Sequence, residues 1–542
     1  MLKTANGTID VARGLGGKND SVRIAAVVSG SREDKDVWQD RLNEVGSFIF
    51  NSDGSSLILS LQERIGEKTR EGNFLGTLLA YRFIKEASGE AGVPYRDFVT
   101  LVGMLFGRGE RMSPITQAKG CRKPATEVTP ANIEIKGKRR AFTAIEEALL
   151  YFTPVAKYLE RRGFRGILNK WGDETQVASI DLAGEPGVGE SLAEHDVIKV
   201  ISVMEITEEL ARQKDWVVFD REKNMVAQLS RNSKDVLMEQ LKGLGEYSAG
   251  ISLGPIAVSY DVLDIATEVF AKEIEDKEVH IDFDPYFLMA LAMDEARSGQ
   301  WREKVDADKD LRDLVAMVPD FFEKVQQIKR IFNQRYGREI KLKTFDLGSD
   351  VYWADIGQHS AMRGKFLSLN DNGIKGAIAR KIANVPEARD KRGNIIFNSE
   401  ISPDVSVRNS VIVNGKITGK GLIYGSVIMD SCFGDVEITD AFAVRSVRTG
   451  RAVMKAKSGI YESLGAGELV LEEGMRHVTV LTSKGPVDMK VSEDTNLRDK
   501  AKTYNVPIFD NEISFEEAYN EMFGVSMEEL EERRKRWIER TE

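Results

Sequence analysis

The chain has 542 residues, enough for about three domains of ordinary size. Hydrophobic residues make up 42% and charged residues 30%, a globular composition, and the net charge of −10 argues against a nucleic-acid or anionic-membrane surface. Two cysteines, Cys121 and Cys432, exclude a disulfide framework or a Cys-rich zinc site, and no stretch reaches the roughly 18 apolar residues of a membrane span, so a reducing cytoplasm is expected.

Four regions are expected in chain order. Residues 1–95 are read as an N-terminal extension, α/β or helical. It holds a strand over 22–29 and helices over 60–87 on the spacing of Leu61, Ile65, Phe74, Leu75, Leu78, Leu79 and Phe83. Residues 96–396 alternate strand and helix patterns, which predicts an α/β domain with a mixed sheet. Its strands are expected at 99–106, 164–171, 197–204, 216–220, 225–229 and 249–259. Its helices are expected at 144–162, closed by Gly163, and at 312–336.

From 397 to 465 the period changes. Val405, Val411, Ile417, Ile423 and Met429 recur every six residues, and Ile401, Val407 and Val413 form a second row. Such rows predict a β-helix of hexapeptide repeats, one repeat per face of a triangular coil. Residues 466–542 are expected to hold a strand pair and a helical tail. Ser514 with Glu517 and Ser526 with Glu529 read as capping boxes, and Gly524 as a helix stop.

The chemistry is expected after the strand at 99–106. Leu105-Phe106-Gly107-Arg108-Gly109-Glu110-Arg111-Met112-Ser113-Pro114-Ile115-Thr116 turns tightly through glycines, and Lys123-Pro124 follows. Backbone amides in such a turn face an anion, and Arg111 and Lys123 add charge that suits a triphosphate. Two aspartates stand at strand ends further on: Asp173, after Gly172, and Asp355, in Tyr352-Trp353-Ala354-Asp355-Ile356-Gly357. Hard Mg²⁺ accepts one or two such carboxylates. Gly184-Glu185-Pro186-Gly187-Val188-Gly189-Glu190-Ser191 has Walker A spacing, but Glu190 stands where the lysine belongs, so a loop is expected there.

These motifs together resemble the sugar-1-phosphate nucleotidyltransferases (NDP-sugar pyrophosphorylases). That family opens on Gly-Gly-x-Gly-Thr-Arg-Leu-x-Pro-Leu-Thr with a later Lys-Pro, and continues with a strand ending in Gly-Asp and with Tyr-Trp-x-Asp-x-Gly. Phe106 stands here at the family's first glycine and Glu110 at its threonine. The hexad rows resemble the left-handed parallel β-helix that several members carry. The resemblance covers roughly residues 99–455. It implies a Rossmann-like nucleotidyltransferase domain with a mixed sheet, followed by the β-helix, in a homo-oligomer.

By resemblance, Gly107, Gly109 and Arg111 bind the nucleotide, and Arg111, Lys123 and Asp173 form the catalytic set. Asp173 and Asp355 hold Mg²⁺. Arg231 takes the place of the lysine that grips the sugar phosphate. Gly250, in Ala249-Gly250-Ile251, lies on the sugar-pocket strand. The implied partners are a nucleoside triphosphate and a sugar 1-phosphate, with neither nucleic acid nor membrane. Two other readings stay open: a non-catalytic regulatory homologue, and transfer to another phosphorylated alcohol. Asp282 and Asp284 are expected to cap the helix after them, with contact to sugar hydroxyls as the other reading, Cys121 to pack near the site, and His359 to be structural. No histidine lies between 398 and 454, which argues against acyl transfer on the β-helix.

Overall fold

The computed structural model describes residues 2–13, 21–52, 54–62, 72–105, 109–183, 191–245, 247–276, 278–497 and 501–541. Beside a small hairpin of Ile133–Ile135 with Lys138–Arg140, the first part is built on β1 (Ile24–Ser29), β2 (Leu57–Gln62), β3 (Val99–Met104), β4 (Gly166–Trp171), β5 (Glu174–Val177), β6 (Val197–Ser202), β7 (Trp216–Phe219), β8 (Met225–Leu229), β9 (Ser248–Ser259), β10 (Leu342–Asp346) and β11 (Tyr352–Asp355). Nine form one mixed sheet in the order β8-β7-β9-β4-β3-β1-β2, with β6 between β9 and β10. β2, β1, β3 and β4 run parallel, and β9 runs antiparallel to β4. Apolar runs such as Ile24-Ala25-Ala26-Val27-Val28 are buried throughout, as strands covered on both faces require. Helices α1 (Leu2–Ala12), α2 (Arg32–Ile49), α3 (Gly72–Glu90) and α4 (Ala144–Arg161) surround this parallel half. α4 opens on a capping box of Thr143 and Glu146.

Three expectations change. Residues 1–95 are no extension of the sheet domain, because β1 pairs with β3 (Ile24 opposite Thr100) and β2 with β1. Residues 60–62 are strand, since Leu57, Leu59 and Leu61 alternate with period two before the helical spacing begins. The helix expected at 312–336 is two, Lys309–Met317 and Phe321–Tyr336, broken where Pro319 disfavours helical geometry at Val318.

The second part is a three-faced parallel β-helix, consistent with the left-handed form. Its coils are shorter than three hexads: Val411 pairs with Val427, sixteen positions on, and Ile417 with Phe433. The apolar rows therefore divide between two cores. Ile412, Ile417, Ile423 and Ile428 fill the coil interior, whereas Val411, Val413, Val427 and Met429 pack outward against the α/β part. Phe442 meets Phe366 across that contact, with ring centroids 5.1 Å apart.

Two corners of the coils are left-handed, one of them at Asn409, Gly425, Asp440 and Lys457. At the other, Asn398, Asn414, Asp430, Arg445 and Glu462 have φ of 50, 52, 50, 51 and 52°. A serine follows most of them, and its hydroxyl accepts from the next coil: Ser446 N–H donates to Ser431 Oγ (3.0 Å) and Ser463 N–H to Ser446 Oγ (3.1 Å). Asn tolerates this backbone better than Ala, and Asn414 Nδ2 also donates to Asp430 Oδ1 at 2.6 Å. Asn414→Ala is expected to lower stability by about 1–2 kcal/mol, read as a shift of the denaturant midpoint at unchanged slope.

A hairpin, Met475–Thr482 with Gly485–Ser492, extends the first face of the β-helix through the pairing of Gly459 with Arg476. Two helices close the chain: α5 (Phe515–Met522), whose capping box of Ser514 and Glu517 is formed, and α6 (Met527–Thr541). Glu529 N–H donates to Ser526 Oγ at the start of α6. No helix among the described residues is long and apolar enough to cross a membrane.

Candidate active site

β3 and β4 are neighbours in register, Met104 opposite Trp171, so the loops leaving their C-terminal ends emerge side by side. This edge of a parallel sheet is where open α/β folds bind ligands. The loop after β3 carries Gly109 at φ 65°, where a Cβ would lie 2.5 Å from Thr116 Cγ2 and 3.0 Å from Lys123 Cβ. Glycine is required there both by conformation and by space. Arg111 follows on a 3₁₀ turn, Glu110–Met112, and is exposed. Gly107 lies outside the described residues, as does the Walker-like loop at 184–190. Lys123 is largely buried, and its ammonium donates to the Asp173 carboxylate.

Asp355 reaches the same place from far along the chain. β11 pairs antiparallel with β5, setting Asp355 opposite Glu174, and Ile356 N–H donates to Asp173 O at 3.0 Å. A Cβ on Gly357 would sit 2.9 Å from Asp355 Oδ1 and 3.7 Å from Asp173 Oδ2, so both carboxylates converge beside a residue that leaves room for them. Burial pushes the Asp355 carboxyl up, and the Asp173 charge adds to this. Burial also acts on Asp173, but Lys123 overrides it and holds that carboxyl below its usual value. Two hard oxygen donors carrying mutually unfavourable charge are what a magnesium ion relieves, so the residues present fit Mg²⁺.

Sequence reasoning missed two neighbours. Glu174 is pushed up to about 7 by burial. Lys170, fully buried on β4, is pushed down to about 8 by burial, with Glu174 opposing. Their signal was present, a lysine and a glutamate flanking Trp171-Gly172-Asp173, but alternation alone does not show which side chain turns inward. Because the native state binds the Glu174 proton more tightly than the unfolded chain does, stability is expected to fall as pH rises from about 4.5 to about 7. Glu174→Gln removes that part of the slope, which thermal unfolding across this window, without divalent ions, will detect.

Beyond the aspartates opens a cleft of about 720 Å³, walled by Trp171, Trp353, Tyr286, Lys214, Arg231 and several carboxylates. Arg231 is mostly exposed; its Nε lies 3.6 Å from Asp215 Oδ1. Gly250 is not among the cleft residues: a Cβ there would meet Ile201 Cδ1 at 2.8 Å, so its small size serves strand packing. Gly254 does line the cleft, and a Cβ there would strike Trp171 Nε1 at 2.3 Å. Asp282 and Asp284 do not cap the helix that follows them. Asp282 instead accepts from Asn73 N–H (2.7 Å) at the start of α3, and Asp284 accepts from Gln228 Nε2 (3.0 Å) and from the fully buried Lys199.

His359 is structural: its Nε2 donates to Ser113 O at 2.9 Å, and burial holds the imidazole down to about 3. The described residues hold one three-carboxylate group close enough to share an ion: Glu127, Glu462 and Glu531. Lys119, Arg445 and Arg534 already neutralise it. Burial alone would raise Glu127, but Arg445 and Lys119 bring it down to about 2. Cys121 is buried and Cys432 half-buried, and neither is in a disulfide. No family model and no curated protein matches this chain.

Proposed function

We propose that the chain is a nucleotidyltransferase that joins a nucleoside triphosphate to a sugar 1-phosphate and releases pyrophosphate. The observation that carries this reading is the convergence of Gly109, Lys123, Asp173 and Asp355 at the C-terminal edge of the parallel strands. They come from three separate segments, and their order and surroundings resemble the family's motifs. In the reaction an oxygen of the sugar phosphate attacks the α-phosphorus, the bond to the β-phosphate oxygen breaks, and pyrophosphate departs with the electron pair.

Little covalent work falls to the protein, so positioning and charge neutralisation supply the rate. The Gly109 turn and Arg111 hold the triphosphate. Lys123 transfers its charge from Asp173 to the departing phosphates. Asp173 and Asp355 are the residues that hold Mg²⁺, which supplies Lewis-acid stabilisation of the phosphate oxygens when bound. Arg231, on the rim of the adjoining cleft, grips the sugar phosphate, and the cleft receives the sugar, whose hydroxyls donate to the carboxylates of its wall.

The test is pyrophosphate release with Mg²⁺, screening ATP, GTP, CTP, UTP and dTTP against sugar 1-phosphates and other phosphorylated alcohols. Release for one pair supports the reading and names the substrates. Release only with a non-sugar alcohol phosphate redirects it to that substrate class. Silence across the panel, from folded protein that still binds a nucleotide, replaces it with the regulatory homologue.

A further inference from the structure

The turn that carries Lys123 has little regular structure of its own. Between Gly109 and Glu127 it consists of short 3₁₀ turns, the longest spanning three residues. Its back is held from the far end of the chain. Gln117 Nε2 donates to Phe515 O (3.2 Å), the Cys121 thiol to Tyr519 O (3.3 Å), and Arg122 Nη1 to Val525 O (2.5 Å). At Gly120, with φ 62°, a Cβ would lie 2.6 Å from that same Val525 O, so the turn and the tail approach as closely as backbone permits.

Below this contact lies the buried ion network. Lys119 Nζ bonds Glu127 Oε2 (2.6 Å) and Glu462 Oε1 (2.5 Å). Arg534 Nε, from α6, reaches Glu462 Oε2 at 2.9 Å, and its Nη2 donates to Arg445 O at 3.1 Å. Arg445 Nη2 returns to Glu531 on α6 at 2.5 Å. Three cations thus balance three carboxylates across the turn, the β-helix and the tail. Removing one partner from such a set leaves a buried charge uncompensated. Lys119 and Lys123 flank the tail contacts of Cys121 and Arg122, so the turn and the docked tail share one equilibrium.

We infer that residues 514–541 form a clamp that fixes the Lys123 turn, with Arg534 and Arg122 as positioning residues that act on the site from behind. The clamp's catalytic meaning rests on the proposed role of Lys123; its mechanical content does not. Docking of the tail holds the turn at the height where the Lys123 ammonium meets Asp173, and release of the tail lets the turn drop away.

The experiment uses the full chain and reads two side chains by peptide-resolved mass spectrometry: alkylation of the Cys121 thiol and acylation of the Lys123 amine. In Arg534→Ala both rates are expected to rise roughly tenfold, with partial return in Arg534→Lys. Faster Cys121 with unchanged Lys123, or no change in either, in folded Arg534→Ala overturns the clamp. If Arg534→Ala does not fold, Glu531→Gln, at a side chain that is itself half exposed, is read the same way with a smaller rise. The same proteins are titrated with inorganic pyrophosphate and Mg²⁺. Weaker binding in the variant alongside faster Lys123 acylation supports the clamp and the site together. Wild-type protein that binds no pyrophosphate, yet whose Lys123 responds to Arg534, sinks the nucleotide reading and keeps the clamp.

Discussion

Asp355→Asn is expected to lower pyrophosphate release by roughly 10²–10³-fold, with the loss in kcat rather than in the nucleotide KM. Asparagine keeps the oxygen that accepts from Gly357 N–H (2.5 Å), so the turn after β11 survives. What it removes is one of the two carboxylate charges proposed to hold Mg²⁺. Without Mg²⁺ the variant is expected to unfold no earlier than wild type, because burial and Asp173 already disfavour the Asp355 charge. Activity lost at intact stability marks a functional carboxylate. Activity that exists and survives the change removes Asp355 from the metal site.

Lys365→Ala carries the largest expected cost in stability, about 3–5 kcal/mol. Lys365 lies on the helix His359–Leu367, just past the Asp355 strand, and its ammonium bonds the fully buried Glu147 of α4. Thr175 Oγ1, on β5, donates to the same carboxylate at 2.5 Å. Three elements that frame the aspartate ribbon therefore meet at one buried charge, which the alanine variant leaves without its cation. Denaturant unfolding measures the loss. Glu147→Gln combined with Lys365→Met should recover most of it, because no buried charge then remains; failure to recover would place the cost in packing.

Much of the fold is legible along the chain. The apolar run at 99–104, the helix ending at Gly163 and the strand at 248–259 follow from periodicity and punctuation, which act over a few residues. The change of period near 397 announces the β-helix. Its coil length was hidden because two cores, the coil interior and the contact with the α/β part, both demand apolar residues and so overwrite a single repeat. The β1–β3 pairing was likewise hidden, since nothing local in Ile24–Ser29 shows that its partner strand begins at Val99.

For the site, sequence by itself determined the residue types and their order: a glycine turn, a lysine, and two aspartates at strand ends. Local chemistry writes these, because close backbone approach needs glycine and a hard cation needs carboxylate. Only the tertiary structure decided which of them meet. Strand pairing brought Asp355 beside Glu174, close packing took up Gly250, and loop and side-chain contacts put Asp282 and Asp284 in a cleft wall and the C-terminal tail against the turn of Lys123. The reason is physical: hydrogen-bonded register and burial join segments hundreds of residues apart, and neither leaves a mark in local spacing.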